Sequence, residues 1–228
     1  MSRPVPVLTV DGPSGSGKGT ISRRVAARLG WHLLDSGALY RLVGLAAVDQ
    51  RVALDDAKAL AAVANAMRVR FAADSERVEL EGADVTGRLR TESAGEAASR
   101  VAAIPAVREA LLQRQRDFAR PPGLVADGRD MGTVVFPEAM LKVFLTASAE
   151  ERAARRHKQL KEKGIDVSLP DLSWDIAQRD ARDASRSVAP LKPASDARVI
   201  DSTSLSPEEV TAHILKWLED VGIQPDRA

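Results

Sequence analysis

The sequence predicts an α/β fold: a doubly wound, five-stranded parallel sheet with an inserted small antiparallel sheet and a helical lid. Three observations predict it. Short apolar segments without alternation are separated by helical patterns, which is typical of buried parallel strands. One segment alternates with a period of two, which favours an antiparallel sheet. A glycine-rich stretch joins the first strand to the first helix, where such sheets bind ligands.

The apolar segments place polar residues at one edge of the predicted sheet. Polar groups follow three of the strands, at Gly12–Thr20, Asp35-Ser36 and Asp127–Asp130. Because the carboxyl ends of parallel strands lie at the same edge, we expect these groups to be neighbours. The predicted strands are Val5–Val10, a weaker Trp31–Leu34, Leu124–Ala126, Leu141–Leu145 and Arg198–Ile200.

The segment 67–86 is the one that alternates with a period of two. Alternation predicts two strands on either side of a turn at Asp74-Ser75, then a last short strand around Val85. A capping-box pattern at Ser93–Glu96 predicts the start of the next helix. The alternating apolar residues are Met67, Val69, Phe71, Val78 and Leu80.

The glycine-rich stretch has the pattern of a phosphate-binding loop. Gly12 and Gly17 bracket four residues and Lys18 follows at once, between a strand and a helix. Glycines let several N–H groups converge on a polyphosphate, and the helix start and the lysine add positive charge. We therefore expect a P-loop NTPase-type domain that binds a nucleoside triphosphate; a flexible turn that binds nothing is the alternative. The loop residues are Gly12, Pro13, Ser14, Gly15, Ser16, Gly17, Lys18, Gly19 and Thr20.

The loop departs from the usual pattern at one position. Ser or Thr normally follows the lysine and ligates Mg²⁺, but here Gly19 does, and the hydroxyl comes next, on Thr20. No spacing of His, Asp or Glu predicts a metal site built by the protein. We expect Mg²⁺ to arrive with ATP and to keep several waters.

A basic helix after Ser148 predicts a lid over the transferring phosphoryl group. Arg152 and Arg156 lie one turn apart, and planar guanidinium groups match the equatorial oxygens of a phosphoryl transition state. The alternative is a solvated helix face.

Two further clusters carry paired charges. Arg179, Asp183 and Arg186 share a helix face, where intrahelical ion pairs are the alternative explanation. After a buried strand, Asp127 could accept from a water of Mg²⁺ and Arg129 could bind an anion, unless Asp-Gly only serves the turn there.

Composition excludes several classes of protein. Charged residues make up 29% of the 228 residues and nearly cancel, to a net +1, which argues against a broad nucleic-acid or membrane surface. No cysteine is present, so no disulfide framework is expected. We expect no signal peptide, no membrane span, a cytoplasmic location and a monomer.

The residues resemble the bacterial cytidylate kinases, a family of nucleoside monophosphate kinases, over nearly the whole chain. The Lys-Gly-Thr ending of the loop is common in monophosphate kinases, and the Asp-Gly-Arg-Asp-Met-Gly stretch and the inserted sheet are narrower markers. The matching segments are GPSGSGKGT (12–20), HLLDSGALYR (32–41), VREALLQRQRDF (107–118), ADGRDMGTVVFP (126–137), QRDARDASR (178–186) and VAPL (188–191).

The resemblance implies a division of the chain and a role for each site residue. It implies a core over 1–61 and 100–228 with a lid near 151–170, and a monophosphate-binding subdomain over 62–99. ATP would lie on Gly12–Thr20, with Lys18, Arg152 and Arg156 catalytic, although Arg155 and Lys158 leave the choice of lid cations open. The implied acceptor residues are Ser36, Arg41 and Arg129 for the phosphate with Arg186 nearby, Ser99, Arg108 and Asp130 for the base, and Arg179 and Asp183 for the sugar side.

These residue types suit cytosine. A carboxylate such as Asp130 can accept from the exocyclic amine, where uracil presents an oxygen instead. The implied reaction is transfer of the γ-phosphoryl group of Mg·ATP to CMP or dCMP. The alternatives are a kinase for UMP, AMP or a non-nucleotide alcohol, and a nucleotide-dependent switch protein that binds nucleic acid.

Overall fold

The computed structural model describes residues 4–72, 77–162 and 164–224. Its described strands are β1 (Val7–Asp11), β2 (His32–Asp35), β3 (Val69–Phe71), β4 (Val78–Leu80), β5 (Ala83–Asp84), β6 (Leu124–Gly128), β7 (Leu141–Thr146) and β8 (Arg198–Asp201). Its described helices are α1 (Lys18–Leu29), α2 (Ser36–Asp49), α3 (Ala57–Ala66), α4 (Glu92–Val101), α5 (Pro105–Arg116), α6 (Ala149–Glu162), α7 (Leu169–Ala184) and α8 (Pro207–Asp220).

The predicted parallel sheet is confirmed. Five strands pair in the order β2-β6-β1-β7-β8, all of them parallel. The strand β1 is central, so the glycine-rich loop leaves from the middle of the sheet. The weaker predicted strand at Trp31–Leu34 is the edge strand β2.

Burial on both faces explains why the central strands β1, β6 and β7 lack alternation. Leu8 and Val10 of β1 are fully buried, and the Ile21–Val25–Leu29 stripe of α1 packs in the same core as Ile214 of α8. Helices cover the sheet faces, so successive residues of a central strand are apolar.

The described chain divides into two compact units. One holds the parallel sheet and comprises the described residues up to Asp35 and from Arg116 onwards; the other is Ser36–Gln115. The second unit contains the segment 62–99 together with α2, α3 and most of α5.

The second unit is built on α2, α4 and the predicted antiparallel sheet. The strands β3, β4 and β5 pair antiparallel in that order; the predicted turn at Asp74-Ser75 lies outside the described residues. The predicted helix start at Ser93 is wrong by two residues, because the Thr91 hydroxyl accepts the Ala94 N–H at 3.2 Å and caps α4.

Within the described ranges, no helix is both long enough and apolar enough to cross a membrane.

Candidate active site

The loop between β1 and α1 brings its main chain close to any ligand it holds. Gly17, the N-cap of α1, has φ 92°, a left-handed conformation that favours glycine. At Gly12 a Cβ atom would collide with the carbonyl oxygen of Leu145. The buried Ser16 hydroxyl has no hydrogen-bond partner among the described residues. An anion in this loop would meet the N–H groups that start α1 and lack partners within the helix.

Lys18 lies inside the loop. It is only 5% exposed, and its Nζ donates to the carbonyl oxygen of Pro13 at 2.7 Å. Burial, and after it the charge of Arg129, lower the pKa of Lys18 to about 7, while the carboxylates of Asp127 and Asp11 act in the opposite direction. A bound polyphosphate would supply the negative charge that favours the protonated form.

A buried carboxylate that the sequence analysis does not single out precedes the loop. Asp11 ends β1, and its two oxygens accept the N–H groups of Met131 and Gly132, each at 2.8 Å. Burial raises the pKa of Asp11 to about 7, although both N–H groups lower it. The only sequence signal is a polar residue at the end of an apolar strand.

The turn after β6 lies beside the loop. A Cβ atom on Gly19 would stand 3.3 Å from Oδ2 of Asp127, so the residue after the lysine has little room for a side chain. Asp130 is 2% exposed and leads into a single helical turn, Met131–Val135. The predicted neighbours Gly12–Thr20 and Asp127–Asp130 are therefore brought together.

One predicted charged residue of α7, Asp183, contacts the same turn. The Arg129 Nε donates to Asp183 at 2.9 Å, and Asp183 also pairs with Arg186. Burial by itself lowers the pKa of Arg129, but the carboxylates, Asp183 foremost, raise it above its usual value. Arg179 lies on α7 one turn before Asp183. The structure thus places Asp183 between two arginines. Arg186 lies beyond α7, which ends at Ala184, so the prediction that it shares a helix face with Arg179 and Asp183 is wrong.

Arg152 of α6 is buried against the loop. Its guanidinium donates to the carbonyl oxygens of Ser14 at 2.9 Å and Ala147 at 3.1 Å, and to Asp180 of α7 at 2.6 Å. Asp180, which the sequence analysis does not assign to the site, has its other oxygen buried without a hydrogen-bond partner among the described residues. The sequence feature that could have identified Asp180 is its position within the QRDARDASR segment.

The next two arginines of α6, Arg155 and Arg156, contact different parts of the structure. Arg155 donates to the carbonyl oxygen of Ser202 at 2.5 Å and lies 3.5 Å from that of Ser16. Arg156 donates to Gln159 on its own helix, at 3.3 Å. In this structure Arg152 and Arg155 reach the loop, and Arg156 lies one turn beyond Arg152.

The remaining predicted acceptor residues belong to the second unit. Ser36 is buried at the start of α2, Arg41 follows on α2, and Ser99 is half-buried on α4. Arg108 of α5 is buried, with its guanidinium 5.7 Å from the centre of the Tyr40 ring.

No group of three or more His, Cys, Asp or Glu side chains is arranged to hold a metal ion within the part of the chain that the structure describes.

A central strand, a glycine-rich loop with a buried lysine, and arginines from a following helix define a P-loop kinase. Comparison with known proteins identifies a family within this class. The family model described as cytidylate kinase matches residues 8–220. The chain belongs to the cytidylate kinase family, whose members are nucleoside monophosphate kinases.

The relatives match along almost their whole length. A cytidylate kinase of Methylococcus capsulatus is 62% identical over 211 residues, which are 92% of this chain and 95% of its own. A cytidylate kinase of Aeromonas hydrophila is 58% identical over 221 residues, 96% of each chain. Among solved structures, a gluconokinase of Sinorhizobium meliloti is 15% identical, covers 96% of this chain and 95% of its own, and has a TM-score of 0.49.

Proposed function

We propose that this protein transfers the γ-phosphoryl group of Mg·ATP to the 5′-phosphate of CMP or dCMP, releasing ADP and CDP or dCDP. The observation that carries the proposal is the pairing of two features at adjacent strand ends. The phosphate-binding loop follows β1, and the buried Asp130 follows β6. Relatives with the name cytidylate kinase, at 57–62% identity, support it.

The donor end of the reaction is assigned to Gly12–Thr20. The loop N–H groups and Lys18 hold the β- and γ-phosphates, and Lys18 exchanges its bond to the Pro13 carbonyl for a phosphate oxygen. The acceptor phosphate oxygen is already anionic, so no general base is required. This oxygen forms a bond to the γ-phosphorus while the bond to the bridging oxygen of ADP breaks, in line.

The residues around the loop fit a magnesium ion that enters with ATP. Magnesium prefers hard oxygen ligands and keeps several waters, and the Asp127 carboxylate lies directly over the start of α1. Asp127 would hold a water of the ion. The ion would neutralise charge on the β- and γ-phosphates.

Nine residues are assigned to the acceptor. Ser36, Arg41 and Arg129 hold its phosphate with Arg186 nearby. The base is read by Ser99, Arg108 and Asp130, and the sugar side by Arg179 and Asp183. These roles are supported by residue chemistry: carboxylates accept from the cytosine amine and ribose hydroxyls, and arginines bind phosphate.

The segment from about residue 151 to about residue 170, which includes most of α6, is the proposed lid. Arg152 and Arg156 are its proposed catalytic arginines, and they neutralise charge on the transferring phosphoryl group. Arg152 already lies at the loop through Ser14, so closure would require only a change of partner for its guanidinium. The segment 62–99 is the proposed monophosphate-binding subdomain.

An acceptor panel tests the proposal. ADP release is measured with CMP, dCMP, UMP, AMP and glycerol at equal concentrations, each with and without Mg²⁺. We expect the highest kcat/KM with CMP or dCMP and no turnover without Mg²⁺. A preference for UMP, AMP or glycerol would contradict the proposed acceptor.

Cytoplasmic location and a monomeric state are further proposals, which cell fractionation and light scattering would test.

A further inference from the structure

The buried carboxylate of Asp11 holds the turn that carries the proposed base-reading residue. Asp11 ends β1, next to Gly12, and it reaches across to the chain that follows β6. Each of its two oxygens accepts one N–H group, from Met131 and from Gly132, at 2.8 Å. One side chain therefore links the start of the phosphate-binding loop to the residues directly after Asp130.

These two N–H groups begin a helical turn and need acceptors from outside it. The turn Met131–Val135 accepts its first main-chain bond at the Asp130 carbonyl, from Val134 at 2.9 Å. An aspartate in the position of Asp130 usually caps such a turn with its own carboxylate. Here the Asp130 side chain makes no cap bond, and Asp11 satisfies the amides instead.

The turn is seated closely on the sheet. Met131 is fully buried. A Cβ atom on Gly132 would stand 2.8 Å from the hydroxyl oxygen of Thr9 and 3.1 Å from Cδ of Lys142. The turn is closely packed, and its first two residues directly follow Asp130 in the chain. A shift of the Met131 and Gly132 amides would therefore also move Asp130.

We propose that Asp11 is a positioning residue for base selection: it fixes Asp130 relative to the phosphate-binding loop through the two main-chain amides. The inference rests on the proposed function and adds a residue to it. Two charged groups act on Asp11 besides the amides. Asp130 raises its pKa and Lys18 lowers it, and burial has the largest effect and brings it to about 7. Protonation of Asp11 would remove one of its two acceptor oxygens.

The test is Asp11→Asn, which keeps the size but offers one acceptor oxygen and turns an NH₂ group toward an N–H donor. We expect KM for CMP to rise on the order of tenfold or more, since small misplacements have effects of this size. KM for ATP should change by less than about twofold, and the ratio of kcat/KM for CMP over UMP should fall. The matched control is Asp201→Asn, which changes an exposed carboxylate at the end of β8 that accepts the Thr203 N–H at 2.9 Å; its kinetics should equal those of the wild type.

The pH dependence separates positioning from a purely structural role. The CMP-over-UMP ratio cancels ionisation of the substrate phosphate, which both acceptors share. In the wild type this ratio should be lower at about pH 6 than at about pH 8, and in Asp11→Asn it should not change. If the variant fails to fold, the wild-type series alone decides. A flat wild-type ratio, or an Asp11→Asn variant with normal KM and normal selectivity, overturns the role of Asp11. A wild type that does not phosphorylate CMP overturns the proposed function itself and this inference with it.

Discussion

The ammonium group of Lys18 is buried against its own loop, and this position has an energetic cost. Because the pKa of Lys18 is lower in the folded chain, at about 7, than the usual 10.5, the unfolded chain binds more protons between these values. Stability of the empty protein should therefore rise with pH across this window as far as Lys18 is concerned. Below about pH 7 the folded chain carries the full cost of the buried charge.

The variant Lys18→Met should be inactive and more stable. We expect kcat to fall on the order of 10²–10³-fold or more, because a preorganised charge at the phosphates is lost. The thermal midpoint should exceed that of the wild type near pH 6, and the difference should shrink toward pH 10. Calorimetry without nucleotide measures it, with Lys216→Met on the exposed face of α8 as control. A difference that grows with pH would contradict the assigned cause.

Asp130 is the residue on which base selection is expected to depend. Asp130→Ala removes the acceptor for the exocyclic amine, so the preference for CMP over UMP should fall by on the order of tenfold to hundredfold. ATP affinity should change little. Steady-state kinetics with both acceptors measure it, and Asp220→Asn, at an exposed ion pair with Arg198, is the control. Unchanged selectivity would show that another residue reads the base.

At the level of residues, the phosphate-binding loop was predictable, and the contacts of Asp11 and Asp180 were not. The loop residues are contiguous, so their spacing identifies them. Asp11 and Asp180 act through partners far along the chain: Asp11 bonds Met131, and Asp180 bonds Arg152 of another helix. An isolated aspartate forms no spacing pattern from which such a partner could be predicted. For the same reason the basic run on α6 did not reveal that Arg155 turns toward the loop.

At the level of elements, the antiparallel strands and some helix starts followed from local pattern. The residues Ser206–Glu209 have the pattern of a capping box, and both of its reciprocal bonds, which are local, are present. The start of α4 was misplaced because Thr91 and Ser93 are both good caps, and the pattern alone does not say which hydroxyl meets the Ala94 amide.

The packing of α2 on α4 depends on a glycine. A Cβ atom on Gly44 would stand 2.9 Å from Cβ of Ala97, so the helices approach too closely for any side chain there. Gly44→Val should force them apart and lower the free energy of unfolding by about 1–3 kcal/mol. KM for CMP should rise with no change in KM for ATP, because Ser36, Arg41 and Ser99 lie on these two helices.

The control for this variant is another glycine of the same unit. Gly87 has φ −66°, and a Cβ atom there would meet no described atom within 4 Å. Gly87→Ala should therefore leave both the urea midpoint and KM unchanged. If Gly44→Val were as stable as Gly87→Ala, the close approach of α2 and α4 would not be a requirement of the fold.

For the whole molecule, a net charge of +1 coexists with concentrated local charge. Two cations at the carboxyl edge of the parallel sheet already contact carboxylates: Arg129 contacts Asp183, and Arg152 contacts Asp180. At the proposed sites, a triphosphate or a monophosphate would replace these carboxylate partners of the two arginines. This explains why composition gave no sign of an anion-binding protein, while the motif did.

The donor and acceptor halves of the site should respond independently to ligands. A ligand at about 100 times its Kd stabilises the fold by about 2.7 kcal/mol, and a chain of this size gains roughly 2–4 °C per kcal/mol. We therefore expect ATP and CMP each to raise the thermal midpoint of the wild type by roughly 5–10 °C. Lys18→Met should lose the shift with ATP and keep the shift with CMP, and Asp130→Ala should do the reverse. Loss of both shifts in either correctly folded variant would mean that the loop after β1 and the turn after β6 bind only as one unit, which would contradict the separate roles assigned to them.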